Sequence, residues 1–204
     1  MQRTRPALAG AAARRPEMNE EPLFRSVDSA LRFAYRTEGS AIVKVSSLFR
    51  QMRGSTVRGR RLTDGPWDDH CQAAMILALT DRILDTRKMI AVRGYYTHPN
   101  DAALETRKQT DYLLLAKIVR DTLSGAPHWY VVDVVREWAG DRRQHSDGWW
   151  AHNLAVHVKQ LSRYRVGRRE RDSQGILSIL DKLYIAALSD LYGPMAETGL
   201  VGSE

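Results

Sequence analysis

The side chains with the clearest chemical potential lie in one stretch, residues 150–165. Two short segments with helical spacing are separated there by a small residue, which predicts two short helices joined by a tight turn. Basic and polar side chains gather on the second segment, and they are His157, Lys159, Gln160, Ser162 and Arg163. A single α-helix fits the major groove of DNA, where such side chains reach base edges and phosphates. The pattern therefore predicts a helix-turn-helix that binds double-stranded DNA.

The small and apolar residues of this stretch have the spacing that a helix-turn-helix requires. Ala151 lies where the two helices must cross closely, and Ala155 lies in the turn four positions later. The apolar residues placed to hold the pair together are Trp150, Leu154, Val156, Leu161 and Tyr164. Two positions depart from the pattern. Ala155 replaces the glycine that a left-handed turn favours, and His157 takes the N-cap position, where serine or threonine is the better cap.

Positive charge is concentrated around the same stretch. The chain carries 31 Lys and Arg residues against 24 Asp and Glu residues, a net charge of +7. Six cations and two acids fall between Val156 and Asp172, so more than half of the excess lies within 17 residues. A focused patch is a stronger indication of nucleic-acid binding than a diffuse excess. We expect Gly167 to end the second helix and the arginines around it to contact phosphates (Arg165, Arg168 and Arg169), with a solvated charged loop as the alternative.

Acidic residues elsewhere in the chain raise the alternative of an enzyme. Asp68, Asp69 and Asp81 are the candidates for a magnesium-dependent nuclease, and His70 and Asp85 extend that set to a candidate metal site. Acids in the first turn of a helix already favour its positive end, and no metal-ligand or catalytic motif matches their spacing. We therefore expect no catalytic residues, no metal site and no cofactor.

Composition indicates a soluble globular protein. Of 204 residues, 43% are hydrophobic and 27% are charged, which is typical of a folded domain. No apolar run approaches the roughly 18 residues that a membrane span needs, so we expect no membrane contact and a cytoplasmic location. The single Cys71 forms neither an internal disulfide nor a cysteine-based zinc cluster, and its apolar neighbours predict a packed thiol.

Every strongly periodic segment has the helical period, so we expect an all-α, multi-helix single domain without a strand hairpin. Four regions are predicted: a disordered basic tail at 1–20, an N-terminal helical region with a basic loop at 21–61, a helical core at 62–140, and the helix-turn-helix with a closing helix at 141–196. A translation start at Met18 is the alternative to the tail. The basic loop at 53–61 either contacts phosphates or is solvated.

Helices are expected at 23–36, 42–52, 67–86, 101–123, 128–138 and 174–192, with 87–96 continuing the third. The residues expected on buried faces are Ala74, Leu77, Ile83 and Leu84 in the third helix, Leu104, Leu113, Leu114, Ile118, Val119 and Leu123 in the fourth, and Trp129, Val132, Val135 and Trp138 in the fifth. A stripe from Ile176 to Leu191 in the last helix is expected to pack on the domain itself. A seam between two copies in a homodimer is the alternative for that stripe.

Several groups of residues resemble a phage protein family. In the C-terminal half they are Trp149-Trp150-Ala151 and residues 161–165, 175–181 and 191–195. Upstream they are Trp67-Asp68-Asp69 and residues 73–76 and 90–96. The resemblance extends over roughly residues 62–196. They are similar to the helix-turn-helix proteins among phage late-gene regulators, which are related to the Q-type antitermination proteins of lambdoid phages and prophages.

The resemblance implies a sequence-specific DNA-binding regulator in the cytoplasm of a bacterial host. Such a protein binds a DNA element near a late promoter and engages host RNA polymerase, which then reads through terminators. By matching position, the implied base contacts are His157, Lys159, Gln160, Ser162 and Arg163, with Arg165, Arg168 and Arg169 on phosphates. Some members carry a cysteine-based zinc module, which a chain with one cysteine does not match. A phage packaging protein, such as a small terminase subunit, also uses a helix-turn-helix and is the alternative.

Overall fold

The computed structural model of the chain describes residues 22–38, 66–99, 101–168 and 173–202. Over these residues the expected all-α single domain is confirmed. The elements are α1 (Val27–Glu38), α2 (Pro66–Ile83), α3 (Thr86–Tyr96), α4 (Ala102–Thr122), α5 (His128–Trp138), α6 (Asp147–Asn153), α7 (Val158–Val166), β1 (Gly167–Arg168), β2 (Ser173–Gln174) and α8 (Ile176–Glu197). The tail predicted at 1–20, the short helix at 42–52 and the basic loop at 53–61 lie outside the described residues.

Two hydrophobic cores share the helix α8. The first core joins α4, α5, α6 and α7 to the beginning of α8, with Tyr112, Tyr130 and Leu161 completely buried in it. The second core joins α1, α2 and α3 to the end of α8, with Leu31 and Ile76 completely buried. Because one continuous helix contributes to both cores, the two halves of the chain are fixed to each other.

The stripe on α8 packs within the domain, as the sequence predicts. Its members Ile176, Ile179, Leu180, Ala187 and Leu191 are buried, and the rest of the stripe is half-buried against the same two cores. This stripe is therefore occupied by the chain itself. Each helix that the structure describes is too short or too polar to cross a membrane.

The prediction of one long helix through residues 67–96 is wrong. The structure ends α2 at Ile83 and begins α3 at Thr86. Asp85 lies between them, and its carboxylate accepts hydrogen bonds from the backbone N–H groups of Arg87 and Lys88, at 2.9 and 3.0 Å. Satisfying two otherwise unpaired donors starts a new helix at this point. Asp85 is thus an N-cap residue.

Five residues that the sequence assigned to the core are exposed. Leu113 and Leu114 of α4 are 40% and 38% exposed, and Trp129 of α5 is 63% exposed. Ala74 and Cys71 of α2 also face solvent, so the prediction of a packed thiol is wrong. The other apolar residues expected on the buried faces of α4 and α5 are buried or half-buried, so apolar spacing failed at single positions and not over whole helices.

Long-range polar partners explain which positions of α4 are buried. Its buried residues include Lys108 and Asp111 beside Tyr112. The Lys108 ammonium donates to Asp141 at 2.8 Å, and Asp111 accepts from the Arg93 guanidinium at 2.8 Å. A charged group is buried at low cost only when such a partner is present. These pairs allow α4 to bury polar positions and leave Leu113 and Leu114 outside.

The carboxylate of Asp28 joins the first and last helices of the second core. Asp28 of α1 accepts hydrogen bonds from the hydroxyls of Tyr96 at 2.6 Å and Tyr184 at 3.0 Å, and from Arg32 at 2.8 Å. Burial by itself raises the pKa of Asp28, but the hydrogen bonds from Arg32, Tyr96 and Tyr184 outweigh burial and hold the pKa below its usual value. The ionised form of Asp28 therefore stabilises the fold.

We predict that Asp28→Asn lowers the free energy of unfolding by about 1–2 kcal/mol at neutral pH, since it removes hydrogen bonds to a partly exposed charged group. The folded-state pKa lies below the unfolded value of about 3.9, so the stabilisation is present above that pH and is lost as the pH falls through the folded value. Urea denaturation should show a constant difference between about pH 5 and pH 7 and a shrinking one below about pH 4. Asp121→Asn, an exposed carboxylate on α4, is the control, and equal stability of Asp28→Asn and the unmodified protein at neutral pH would contradict the prediction.

Candidate nucleic-acid interface

The turn between α6 and α7 has the backbone that the sequence pattern requires. Ala155 has φ of +50°, and it is the one non-glycine residue with positive φ in the part of the chain that the structure describes. The backbone N–H of Val156 donates to the carbonyl of Ala151 at 3.1 Å, which closes the turn. A left-handed alanine costs about 1–2 kcal/mol, so packing around it must hold the conformation in place.

That packing comes from the small and apolar residues that the sequence singled out. Trp150, Ala151 and Leu161 are buried in the first core. Leu154, Val156 and Tyr164 are half-buried against the same core. The predicted set thus holds α6 and α7 together.

Side chains cap both helices at their beginnings. The Ser146 hydroxyl accepts from the backbone N–H of Trp149 at 3.2 Å, at the start of α6. His157 caps α7, as predicted, because its Nδ1 atom accepts from the backbone N–H of Lys159 at 3.1 Å. Gly167, with φ of +92°, ends α7 at the predicted position. The two helices therefore have defined limits on the surface.

The outward face of α7 carries most of the predicted contact residues. His157, Lys159, Gln160, Ser162 and Arg163 are all exposed. Successive residues of a helix are rotated by about 100°, so Lys159 and Arg163 project away from the buried Leu161. Gln160 lies toward the edge of this face, where its amide donates to the Tyr164 hydroxyl at 3.3 Å.

Two exposed valines of α7 were missed in the sequence. Val166 is 63% exposed and Val158 is 45% exposed. By helical rotation Val166 lies about 20° from Lys159 and about 60° from Arg163, at one side of the outward face, whereas Val158 lies about 100° from Lys159. Valine side chains carry no hydrogen-bonding group, so the pattern of polar and basic residues did not include them.

The arginines in the last turn of α7 and after it differ in their placement. Arg165 is half-buried and forms ion pairs with Glu137 and, at 3.8 Å, with Asp147. Its guanidinium is therefore used inside the domain, away from the exposed cations. For Arg168 the structure describes the backbone in β1 only, and Arg169 lies outside the described residues.

Arg165 is part of an arginine–carboxylate network that joins α5, α6 and α7. We give this name to Glu137, Arg143, Asp147 and Arg165. Arg143 contacts Asp147 at 2.7 Å and Glu137 at 3.7 Å, and it also lies 3.5 Å from the Asp133 carboxylate. Such a network fixes orientation more than it adds stability, because each buried charge must first lose its water.

Tyr130 connects the same network to the backbone of α7. Its hydroxyl donates to the carbonyl of Leu161 at 3.1 Å and lies 3.3 Å from Asp147. Burial, together with the charge of Asp147, raises the pKa of Tyr130 well above its usual value. The hydroxyl therefore stays protonated and continues to donate this bond over the physiological pH range.

Asp133 fixes the loop before α6. This residue of α5 is 2% exposed, and its carboxylate accepts from the backbone N–H groups of Gln144 at 2.6 Å and His145 at 3.2 Å. It also accepts from the indole N–H of Trp150 at 2.8 Å. Sequence reasoning missed Asp133, and its one signal was an acid within the apolar run of residues 131–135.

A short hairpin holds the other end of α7, although no hairpin was expected. Gly167 pairs with Gln174 and Arg168 with Ser173 in an antiparallel ladder. At Gly175 a Cβ atom would lie 2.3 Å from the carbonyl carbon of Val166 and 2.4 Å from the Gly167 nitrogen. Only glycine allows this approach, so the beginning of α8 packs directly against the end of α7.

The acidic residues that the sequence offered as metal or nuclease candidates are not gathered into a site in the ranges that the structure describes. These ranges contain no group of three or more His, Cys, Asp or Glu side chains arranged to hold a metal ion. Asp69 and Asp81, two of the candidate nuclease acids, are exposed.

We predict that Asp133→Asn lowers the free energy of unfolding by about 2–4 kcal/mol, because the amide presents a donor to groups that already donate and leaves a buried hydrogen bond unmade. Urea denaturation followed by tryptophan fluorescence measures this change. Asp121→Asn removes an exposed carboxylate from α4 and should change the value by less than about 0.5 kcal/mol. Equal effects of the two substitutions would show that Asp133 does not hold α6 in place.

Comparison with known proteins adds no relative to this picture. No family model, no curated protein and no solved structure matches the chain. The arrangement of α6 and α7 therefore carries the functional argument.

Proposed function

We propose that the protein is a sequence-specific DNA-binding transcription regulator of a phage or prophage, with α6 and α7 as its helix-turn-helix. One observation carries the proposal: the exposed Lys159 and Arg163 lie on one face of a short helix whose opposite face packs on the first core through the buried Leu161. A fixed helix loses little further conformational freedom on binding, so more of the contact energy appears as affinity.

The dimensions of α7 suit the major groove. Nine residues give a length of about 13 Å, and a helix with its side chains is about 10–12 Å across. The major groove is about 12 Å wide. In the proposed complex Lys159 and Arg163 donate to guanine O6 and N7, and His157, Gln160 and Ser162 contact base edges or phosphates at the margins.

The remaining predicted contacts take two roles in the proposal. Arg168 and Arg169 follow α7 directly and contact phosphates beside the groove. Arg165 is a positioning residue, because its ion pairs with Glu137 and Asp147 orient the end of α7. Removing it therefore loosens the helix that makes the contacts.

The regulatory part of the proposal is supported by the resemblance to phage late-gene regulators. In that role the protein acts in the bacterial cytoplasm, binds an element near a late promoter and engages host RNA polymerase, which then reads through terminators. Catalysis has no part in the proposal. The DNA-binding step and the transcriptional step are testable separately.

We predict that Lys159→Ala combined with Arg163→Ala weakens binding to DNA from the protein's own locus by about 100-fold, since each guanine contact contributes about 1–3 kcal/mol. The slope of log affinity against log salt should change by less than about 1, because these two side chains contact bases and not phosphates. Mobility-shift titrations at several salt concentrations measure both effects.

The matched control is Arg82→Ala combined with Arg87→Ala, which removes two exposed cations from α2 and α3. It changes the net charge equally and should leave sequence preference intact. Transcription in vitro across a terminator should increase with the unmodified protein and with this control, and not with the α7 double variant. If the α7 double variant retains full affinity and preference, the assignment of α7 to the groove is wrong.

Val166 adds an apolar contact to the proposed interface, with the methyl group of a thymine base. Thymine is the base that offers a methyl group in the major groove, and apolar side chains contact it. Val166 lies three residues after Arg163, about 4.5 Å along the helix axis, which is a little more than one base step of about 3.4 Å. The proposal therefore places a thymine one or two base pairs from the guanine that Arg163 contacts.

We predict that replacing this thymine by uracil weakens binding by about fourfold, because one buried methyl group contributes about 0.8 kcal/mol. Val166→Ala should bind the thymine and uracil forms equally. Ile185→Ala, which truncates an equally exposed residue on α8, should keep the difference. If single uracil substitutions have no effect at any position while the α7 double variant still loses affinity, then α7 contacts DNA without a role for Val166.

A further inference from the structure

Three large apolar side chains on α4 and α5, which the sequence predicts to be buried, are exposed to solvent. Leu113 and Leu114 are 40% and 38% exposed, and Trp129 is 63% exposed. Their spacing is that of core residues, and the fold nevertheless presents them to solvent. Disagreements between local pattern and packing concentrate at functional positions, so this surface is a candidate for binding.

The three side chains border two adjacent hollows. The larger has a volume of about 540 Å³ and is lined by Leu113, Leu114, Lys117, Arg120, Asp121 and His128. The smaller has a volume of about 310 Å³ and includes Trp129, Arg136 and His145 in its wall. The rings of His128 and Trp129 lie 5.0 Å apart, so the two hollows meet at the first turn of α5. We call this surface the α4–α5 groove.

The composition of the groove is that of a protein-binding surface. Tryptophan and arginine are the residues most enriched among those that dominate binding energy at interfaces. Trp149 of α6 continues the apolar border, since it is 43% exposed and stacks on His145 at 3.6 Å. Exposed apolar residues scattered singly are ordinary, but here they adjoin one another around two hollows.

The charges around the groove indicate which kind of binding partner fits it. Lys117, Arg120 and the half-buried Arg136, which also donates to the Gln109 amide oxygen, line the two hollows, and Asp121 is the exposed acid of that lining. The other nearby carboxylate, Asp133, is already used by two backbone N–H groups and the Trp150 indole. A second copy of this surface would bring like charges together, which costs binding energy. Phosphate groups would match the cations and leave the leucines and Trp129 without an apolar partner.

We propose that the α4–α5 groove binds an acidic amphipathic helix of a partner protein. Apolar side chains of that helix pack on Leu113, Leu114 and Trp129, and its carboxylates pair with Lys117, Arg120 and Arg136. This is the arrangement by which an amphipathic helix binds a hydrophobic groove. The proposal does not depend on DNA binding, because none of these residues belongs to α7.

The test uses the full chain and a fluorescent synthetic helix of roughly 15 residues, with leucine and phenylalanine on one face and glutamate elsewhere. Fluorescence anisotropy measures its affinity. A second peptide has lysine in place of every glutamate, and we expect it to bind at least about tenfold more weakly. Trp129→Ser and Leu113→Ser should each weaken the glutamate peptide by about tenfold, with thermal melting confirming that both variants fold.

Charge reversal and a matched apolar control complete the test. Lys117→Glu combined with Arg120→Glu should reverse the preference, so that the lysine peptide binds more tightly than the glutamate peptide. Ile185→Ser, which changes an equally exposed residue on α8, should leave both affinities unchanged.

Four results would overturn the proposal. The first is equal binding of the two peptides, and the second is an equal effect of Ile185→Ser and Trp129→Ser. The third is a dimer in sedimentation velocity that Trp129→Ser dissociates, which would make a second copy the occupant. The fourth is a loss of DNA affinity in Trp129→Ser as large as in the α7 double variant, which would assign the groove to DNA.

Discussion

The rest of the interface depends on the buried carboxylate of Asp133. It lies on α5 inside the first core, and it accepts hydrogen bonds from the loop at 144–145 and from the Trp150 indole. A buried carboxylate without partners would cost several kcal/mol, so these bonds form together with the core. They fix where the chain enters α6, and through the tight turn at Ala155 they fix the beginning of α7. The orientation of Lys159 and Arg163 therefore depends on Asp133, a side chain that is almost completely buried.

The far end of α7 is held by a different mechanism. Arg165 pairs with Glu137 and Asp147, and the close approach of Gly175 to Val166 leaves no room for a side chain. A nine-residue helix is too short to be stable alone in water, so α7 exists because both of its ends and its buried face are held. This preorganisation is what a DNA-contacting helix needs, because ordering it in the complex would otherwise reduce the affinity.

The sequence predicted the helical segments, apart from the break at Asp85, and it predicted the α6–α7 turn. Both kinds of structure depend on neighbouring residues. The small residues Ala151 and Ala155 and the apolar Leu161 show their roles through spacing alone. The exposure of Leu113 and Leu114 was out of reach, because Lys108 is buried by virtue of Asp141, which is 33 residues away in the chain. The ion pair of Arg165 was equally out of reach, since its partner Glu137 lies 28 residues upstream. The periodicity of apolar residues predicts which face of a helix is buried. It carries no information about ion-pair partners that are distant in the sequence.

The helix α5 links the two proposed surfaces physically. Asp133 and Glu137 on this helix hold α6 and α7, while Trp129 and Arg136 on the same helix border the α4–α5 groove. Because α5 is packed in the first core along its length, a partner bound in the groove would have a fixed position relative to DNA bound by α7. A regulator that must place a protein at a defined distance from its DNA element requires this rigidity, since a flexible connection would spread the partner over many positions. The burial of α5 thus gives one physical basis for both proposed surfaces.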